Sequence, residues 1–409
     1  MKKICVFVMS GLPIPAVNGG AIETLLQLFI DENEKKGHYD ITVLSNYNAE
    51  AEEAGKRYKH SHFVYFKSRT KVNKYRDITS RLIYRATRII TPNSDEVEDA
   101  IRYLKDHQEE YDLIINENWK IYLSPLIAKA VPVRKVLLHL HRKGEPQKGD
   151  ITKRLDRAIG TLVTVSHFVA DDWMSITGRS PKRTAVLANC CNAEAMRGKI
   201  SEEEKKELRA RYGIEDDEKV VLFTGRITDE KGVLELAQAF NKITEPKCML
   251  LILGGAKGNP VPKLDYEKQL NELIANSKAK IVRTGYVDNR DIYKYYNIAD
   301  LAVLPSVCPE AAALTVIESL TAGMPVLTTN QGGIPEYAKD GCAVRIDVDD
   351  QFIDHMASEI SRLLLDPEER ARLSENALKR AEAFEPSSYY DSFCKIIDKA
   401  IARYERSKS

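Results

Sequence analysis

Short apolar runs recur along the chain, and most are followed by a stretch whose apolar residues return every three or four positions. The runs occupy residues 1–9, 38–45, 111–116, 134–143, 220–225, 249–255, 281–287 and 301–304. An apolar run that ends in glycine or a polar residue predicts a strand buried on both faces, and the stretches between the runs predict amphipathic helices. This alternation predicts a doubly wound α/β fold.

Residues 303–336 (VLPSVCPEAAALTVIESLTAGMPVLTTNQGGIPE) form the stretch around which the second half is organised. They predict the end of the strand at 301–304, a helix from about 311 to 322 that is stopped by Gly323, and a further strand at 325–329. Ligands of doubly wound sheets lie beyond the carboxyl ends of the strands. We therefore expect the chemistry near Glu310.

Two carboxylates mark this predicted helix, Glu310 in its first turn and Glu318 eight residues later. A helix N-terminus attracts phosphate, and a carboxylate accepts hydrogen bonds from the hydroxyl groups of a sugar or a ribose. A sugar at one end and a ribose at the other would satisfy both. From spacing alone, a capping acid at Glu310 and a surface residue at Glu318 explain the pattern equally well.

Two cations follow the apolar run at 220–225. Arg226 and Lys231 leave the same predicted strand end, and a planar fork beside a point charge suits a diphosphate, although such residues are often plain surface charges. The order FTGR-x4-KG, LILGG, TGYV, PE-x7-E, AGMPV and GGIPE resembles the retaining glycosyltransferases of family 4. That resemblance implies the GT-B fold, in which two Rossmann-like domains face a deep interdomain cleft and a C-terminal helix crosses back to the first domain.

The resemblance implies roles for individual residues. Arg226 and Lys231 would bind the donor diphosphate, Glu310 the transferred sugar and Glu318 the ribose. Ala311, Ala312 and Ala313 depart from the family pattern after the first glutamate, which leaves backbone contacts possible but puts side-chain contacts to the sugar in doubt. The implied donor-binding residues are Gly19, Gly20, Arg226, Lys231, Tyr286, Val287, Ala311, Ala312, Ala313, Leu314 and Glu318.

The first half offers two further candidates. Gly19 and Gly20 open a predicted helix, where a phosphate could approach the backbone, although a plain strand-to-helix turn would use the same residues. His139 and His141 share one face of a predicted strand. The family pattern favours His141 as the histidine beside the donor sugar, whereas a strand-end histidine is otherwise usually structural.

Composition sets bounds on these hypotheses. The 409 residues are enough for two domains, which we place at 1–193, together with the crossover helix 387–409, and at 194–386. Seven cysteines without metal-like spacing indicate a reducing compartment, and residues 1–9 are too short an apolar core for a signal peptide. Asp347 and Asp349 form a D-x-D pattern that stands in the wrong place for a metal site. We expect no catalytic metal and no cofactor.

A basic stretch, residues 67–90, holds eight basic residues and one acid. Its apolar residues are spaced so that a helix would be basic on one side and apolar on the other. Such a helix suits an anionic membrane or a lipid diphosphate, and a helix packed on its own domain is a near equal alternative. Nucleic acid ranks lower, because no recognised motif accompanies the charge.

These observations lead to one functional hypothesis. We expect a cytoplasmic glycosyltransferase, with peripheral contact to the inner face of the membrane as an option, that moves a sugar from a UDP-sugar to a hydroxyl acceptor in polysaccharide or lipid-linked glycan synthesis. Two alternatives stay open: a GT-B sugar-nucleotide 2-epimerase and a non-catalytic subunit that binds nucleotide sugars.

Overall fold

A computed structural model of the protein describes residues 1–69, 75–76, 78–80, 82–83, 85, 94–117, 131–143, 149–255 and 264–407. The chain divides into two compact units, Met1–Ala188 with Pro386–Ser409 (unit 1) and Asn189–Glu385 (unit 2). The sequence placed the boundary five residues later, at 193. Among the described residues, no helix has the length and apolar character needed to cross a bilayer.

Unit 1 is built on a parallel sheet of seven strands in the order β3-β2-β1-β4-β5-β6-β7. The strands are β1 (Lys2–Val8), β2 (Tyr39–Asn46), β3 (Ser61–Phe66), β4 (Leu113–Glu117), β5 (Val136–Leu140), β6 (Thr161–Thr164) and β7 (Thr184–Val186). The helices are α1 (Ala21–Lys36), α2 (Ala49–Gly55), α3 (Asp95–His107), α4 (Gly149–Arg157) and α5 (His167–Thr177). The order reverses between β1 and β4, as in a doubly wound sheet.

Unit 2 repeats this plan with six parallel strands in the order β10-β9-β8-β11-β12-β13. The strands are β8 (Lys219–Thr224), β9 (Cys248–Leu253), β10 (Lys280–Gly285), β11 (Leu301–Leu304), β12 (Val326–Thr329) and β13 (Val344–Ile346). The helices are α6 (Ala193–Met196), α7 (Glu202–Arg211), α8 (Val233–Phe240), α9 (Leu264–Ala275), α10 (Ile292–Tyr296), α11 (Leu314–Thr321), α12 (Ile334–Tyr337), α13 (Phe352–Leu365) and α14 (Pro367–Ala381).

The central strands of both sheets are buried on both faces. Val220, Val221 and Leu222 in β8 have no exposed surface, and the same holds for Met249 and Leu250 in β9. An unbroken apolar run of this kind has no polar face to present to water, so helices must cover both sides of the sheet. The apolar pattern therefore determines the layered architecture.

The last helix, α15 (Pro386–Glu405), belongs to unit 1. Its Tyr390 hydroxyl donates to Asn33 Oδ1 in α1 at 2.8 Å, and Asn33 also bonds both backbone groups of Tyr39. Phe393 of the same helix packs on Phe29, with ring centroids 5.1 Å apart. A fully buried asparagine with three hydrogen bonds fixes the position of α15 in a way that apolar packing alone would not.

Helix α11 is shorter than the sequence suggested. It begins at Leu314, with Ala313 as the N-cap residue, and not near residue 311. The cause is the backbone of Glu310, which pairs with Gly332 across the loop and accepts a hydrogen bond from Gly333 N at 2.7 Å. Glu310 therefore precedes the helix and does not lie in its first turn.

Candidate functional site

The candidate site in unit 2 lies where the strand order reverses. β8 and β11 are neighbours in the sheet, although residues 225–300 separate them in the chain. The loops that follow their carboxyl ends consequently start side by side. The first carries Arg226 and Lys231, and the second carries Glu310.

Backbone contacts hold these two loops together. Val307 N donates to Glu230 O at 3.0 Å, and Gly232 adopts a left-handed backbone conformation with φ 67°. A Cβ atom at Gly232 would come within 2.0 Å of Pro305 O. Only glycine permits this approach, so the close spacing of the two loops depends on the residue after Lys231.

Lys231 and Glu310 form an ion pair across the two loops. Lys231 Nζ donates to Glu310 Oε1, and Ser306 Oγ donates to the same oxygen at 2.8 Å. The two charged side chains are 16% and 17% exposed, so the pair is shielded but still reachable. Thr329 Oγ1 in turn donates to Ser306 O at 2.8 Å, which fixes the loop from β12.

The N-terminus of α11 follows Glu310 closely. No side chain caps it, and among the described residues no acceptor is paired with the backbone N–H of Ala313, Leu314 or Thr315. Unpaired N–H groups at the positive end of a helix attract an anion. This end of α11 and Lys231 are thus two sources of positive charge near one carboxylate.

Glu318 lies further along α11, and the residue that follows it, Ser319, belongs to a buried polar network. Thr224 Oγ1 and Ser319 Oγ lie 3.4 Å and 3.2 Å from the Tyr296 hydroxyl, which joins α10, α11 and the end of β8. Burial raises the pKa of Glu318 to about 7, because the charged carboxylate is poorly solvated there.

The remaining unit 2 candidates are more exposed. The Arg226 side chain is 71% exposed, and its guanidinium lies 3.6 Å from the carboxylate of Glu230. Tyr286, at 45% exposure, and Val287 follow β10. A Cβ atom at Gly255 would lie 2.8 Å from Tyr286 N, so the loops after β9 and β10 also run close together. Ala311 and Ala312 are half-buried in the loop before α11.

In unit 1, Gly19 and Gly20 open α1 as expected, with positive φ values of 70° and 104°. The buried carboxylate of Glu23 lies beside Gly20 and accepts a hydrogen bond from Ser10 Oγ, whereas no atom lies near the missing Cβ of Gly19. A Cβ atom at Gly20 would lie 2.1 Å from Glu23 Oε2. The φ of 104° favours glycine at this position, and Glu23 supplies negative charge to this helix end.

The two candidate histidines of unit 1 meet at a third residue. Glu117, the last residue of β4, lies 3.1 Å from His139 Nδ1 and 3.0 Å from His141 Nε2. Burial acts to raise the pKa of Glu117, but its contacts with the two histidines outweigh burial and hold that pKa at about 2. Burial and the neighbouring His139 lower the pKa of His141 to about 4, against the opposing effect of Glu117.

Among the described residues, these three side chains are also the group whose ligand atoms lie close enough together to hold a metal ion. One oxygen or nitrogen atom from each lies within 4.8 Å of the others. The sequence did not single out Glu117. The signal was an acid that ends an apolar strand (LIINE) beside a strand carrying H-x-H, and adjacent parallel strands bring their ends together.

Only parts of the basic stretch are described. Residues 75–76, 78–80, 82–83 and 85 are helical, and Arg76 pairs with Glu98 of α3. Four apolar side chains there are exposed, which we call the apolar stripe: Tyr75 (74%), Ile78 (51%), Leu82 (58%) and Ile83 (40%). Ile89 and Ile90 lie outside the described residues.

Sequence comparisons identify relatives of the chain. Residues 204–380 match the family model described as "Glycosyl transferases group 1". Lipopolysaccharide 1,2-N-acetylglucosaminetransferase of Salmonella typhimurium is 26% identical over 66% of this chain and 68% of its own. Spore coat protein SA of Bacillus subtilis is 26% identical over 93% of this chain and 95% of its own.

Solved structures agree in fold. Anabaena HepE, crystallised with UDP and glucose, superposes with a TM-score of 0.74 at 18% identity over 98% of this chain and 100% of its own. WaaG, a glycosyltransferase involved in lipopolysaccharide biosynthesis, gives 0.64 at 15% identity over 96% of this chain and 99% of its own. The comparisons confirm the GT-B fold and the expected enzyme class, a glycosyltransferase.

We expect Gly232→Ala to destabilise unit 2 by about 2–4 kcal/mol, because the new Cβ would meet Pro305 O in a backbone conformation that alanine disfavours. Gly213→Ala is the matched control, since Gly213 has φ 63° but no atom near its missing Cβ. It should cost only about 1 kcal/mol. Thermal unfolding measures both, and equal shifts for the two variants would show that the loop contact has no special weight.

We also expect Glu318→Gln to stabilise the protein relative to the wild type at pH 8 but not at pH 4. With its pKa raised from 4.5 to about 7, folded Glu318 retains a proton that the unfolded chain releases in that window. Wild-type stability therefore falls as the pH rises through it, by about 1–3 kcal/mol. Melting temperatures from pH 4 to 8 measure this, with the exposed Glu207→Gln as control, and parallel curves would contradict it.

Proposed function

Because residues 204–380 match group 1 glycosyl transferases, we propose that the protein is a retaining glycosyltransferase of family 4 whose donor is a UDP-sugar. The observation that carries the proposal is the Lys231–Glu310 pair beside the uncapped N-terminus of α11. Lys231 and the N–H groups at the start of α11 suit the anionic part of a ligand, and the carboxylate of Glu310 suits a neighbouring part that is rich in hydroxyl groups.

The proposed roles follow from the contacts of each side chain. Lys231 carries three N–H donors, so it can hold Glu310 and a phosphate oxygen together. Glu310 keeps acceptor capacity for a sugar hydroxyl, and Glu318 accepts from the ribose at the far part of α11. The Arg226 side chain is exposed to solvent, and it would contact the diphosphate from the solvent side of the site. Tyr286 and Val287 would flank the base.

Departure of the diphosphate is the step that develops negative charge. In the proposed reaction the bond from the sugar to the phosphate oxygen breaks, and the acceptor hydroxyl attacks the same face. The hydroxyl proton passes to the departing phosphate oxygen. Lys231, Arg226 and the N–H groups at the start of α11 stabilise the developing charge, so the proposal requires no metal and no cofactor.

The donor assignment rests on the relatives. Anabaena HepE was crystallised with UDP-glucose, which supports uridine as the nucleoside here. The Salmonella relative acts on lipopolysaccharide, which supports an acceptor among cell-surface polysaccharides or lipid-linked glycans. A 2-epimerase and a non-catalytic subunit are not favoured, since several relatives are named for sugar transfer.

The apolar stripe supports a membrane-bound acceptor. Of the ten exposed large hydrophobic residues in the described part of the chain, four lie between positions 75 and 83. On a helical projection Tyr75, Ile78 and Leu82 share one face with Arg85 beside it, whereas Arg76 pairs with Glu98 of α3. An exposed apolar face beside a cationic residue suits a helix that lies in the interface of an anionic membrane, for which we propose the inner face of the cell membrane.

We expect UDP to raise the free energy of unfolding by about 2.7 kcal/mol at 100 times its dissociation constant, measured in EDTA with GDP, dTDP and ADP as comparison ligands.

Lys231→Ala should weaken UDP binding by about 1.5–3 kcal/mol but leave uridine binding unchanged, because only the diphosphate contacts the cation. Lys242→Ala is the control, since Lys242 forms an exposed pair with Asp354. Glu310→Gln should retain UDP affinity and lose turnover.

Two outcomes would contradict this proposal. Unchanged UDP affinity in Lys231→Ala would remove Lys231 from the phosphate site. Equal losses of UDP affinity and turnover in Glu310→Gln would place Glu310 with the nucleotide and not with the sugar.

We expect the double variant Ile78→Glu/Leu82→Glu to bind vesicles that contain anionic phospholipid at least about tenfold more weakly than the wild type, because two side chains lose their apolar burial. Leu365→Glu is the matched control, with 62% exposure against 58% for Leu82. Sedimentation with anionic and with zwitterionic vesicles measures the effect. If the double variant bound as the wild type does, the apolar stripe would have a different partner.

A further inference from the structure

Glu117 joins two histidines in unit 1 through a single carboxylate. Its oxygens lie 3.1 Å from His139 Nδ1 and 3.0 Å from His141 Nε2. We propose that Glu117 is a positioning residue that fixes the ring orientation of His141 and its tautomer, with the proton on Nε2. This inference rests on the proposed function and on the family resemblance, which implies that His141 lies beside the donor sugar.

Because the cluster is buried, Glu117 has to form hydrogen bonds with the two histidines. The side chains of His139, Glu117 and His141 are 0%, 4% and 9% exposed. A carboxylate held away from water must accept hydrogen bonds, and an ionised carboxylate can only accept. Each imidazole therefore donates from the nitrogen that faces Glu117. When neutral, His139 carries its proton on Nδ1 and His141 carries its proton on Nε2, so the two neutral rings adopt opposite tautomers.

A metal ion is the alternative occupant of this cluster, and His139 argues against it. Among the described residues, no hydrogen-bond partner lies near the buried His139 Nε2. A metal on Nδ1 would move the ring proton to Nε2 and leave a buried N–H without an acceptor. With Nδ1–H donated to Glu117, Nε2 is only an unused lone pair. An unsatisfied donor of this kind costs about 1–3 kcal/mol, so the hydrogen-bonded form is favoured.

Packing from two sides keeps the cluster in place. The His139 and His141 ring centroids are 4.1 Å apart, and the Phe393 ring of α15 lies 5.2 Å from that of His139. His139 is thus enclosed by Phe393, Glu117 and His141. The contacts form a continuous path within unit 1 from the C-terminal helix to His141, and Glu117 is the polar step of that path.

Histidine NMR on the full chain tests the tautomers directly. In protein labelled with 15N-histidine, His141 should be protonated on Nε2 and His139 on Nδ1 at neutral pH, with resonances assigned through His139→Gln and His141→Gln. Protonation of His141 on Nδ1, or on both nitrogens, would overturn the inference. This measurement needs no substrate, so its outcome is independent of the proposed function.

The variant Glu117→Gln tests the consequence. A carboxamide accepts through one atom and donates through the other, so one of the two imidazoles must change tautomer. We expect turnover of the UDP-sugar to fall by roughly 100-fold, as on loss of one preorganised polar contact, with the donor KM little changed. Glu110→Gln is the matched control, because Glu110 forms an exposed contact of 2.7 Å with His107 in the same unit.

Other outcomes would overturn the positioning role. One is unchanged tautomers in a folded Glu117→Gln protein. Another is zinc that stays bound to the wild type in stoichiometric amount through dialysis and is absent from Glu117→Gln. Full turnover in both Glu117→Gln and His141→Gln would remove His141 from the reaction, and the positioning role with it, while the UDP affinity of the Lys231 and Glu310 variants would still report on the donor site by itself.

Discussion

The ion pair between Lys231 and Glu310 depends on the reversal of strand order in unit 2. The two residues are 79 positions apart in the chain, and they meet because β8 and β11 are neighbours in the sheet. Gly232 allows the loops to touch, and Ser306 and Thr329 fix the loop that carries the carboxylate. A site made from two loops on adjacent rigid strands keeps its geometry without any ligand, which is what stabilisation of developing charge requires.

Glutamates in partly or fully buried positions are stabilised here by different means. Glu310 pairs with a lysine, Glu117 remains charged between two histidines that hold its pKa at about 2, and burial raises the pKa of Glu318 to about 7. Burial disfavours the charged form of both Glu117 and Glu318, so the histidine contacts of Glu117 account for the difference between them. The raised pKa of Glu318 fits its proposed role, since the hydroxyl donors of a ribose would favour the charged carboxylate.

Much of the fold could be predicted from the sequence, because a strand buried on both faces leaves a short unbroken apolar run that ends in glycine or a polar residue. The strands at 301–304 and 220–225 lie within one residue of the predicted bounds. The start of α11 was predicted wrongly, since the pairing of Glu310 with Gly332 is a contact between residues 22 positions apart that no local pattern reveals. Glu117 was missed for the same reason: its meaning arises only when β4 and β5 are placed side by side.

The last helix, α15, affects the geometry of the two histidines in unit 1. α15 is fixed by the fully buried Asn33, and its Phe393 in turn limits the space available to His139. Since His139 and His141 share Glu117, a small displacement of α15 would alter hydrogen bonds at His141 as well as packing. Buried polar groups tolerate such displacement less than apolar ones, because hydrogen bonds weaken steeply with angle and distance. The C-terminal residues of the chain therefore contribute to the geometry of His141, although they are more than 240 positions away in sequence.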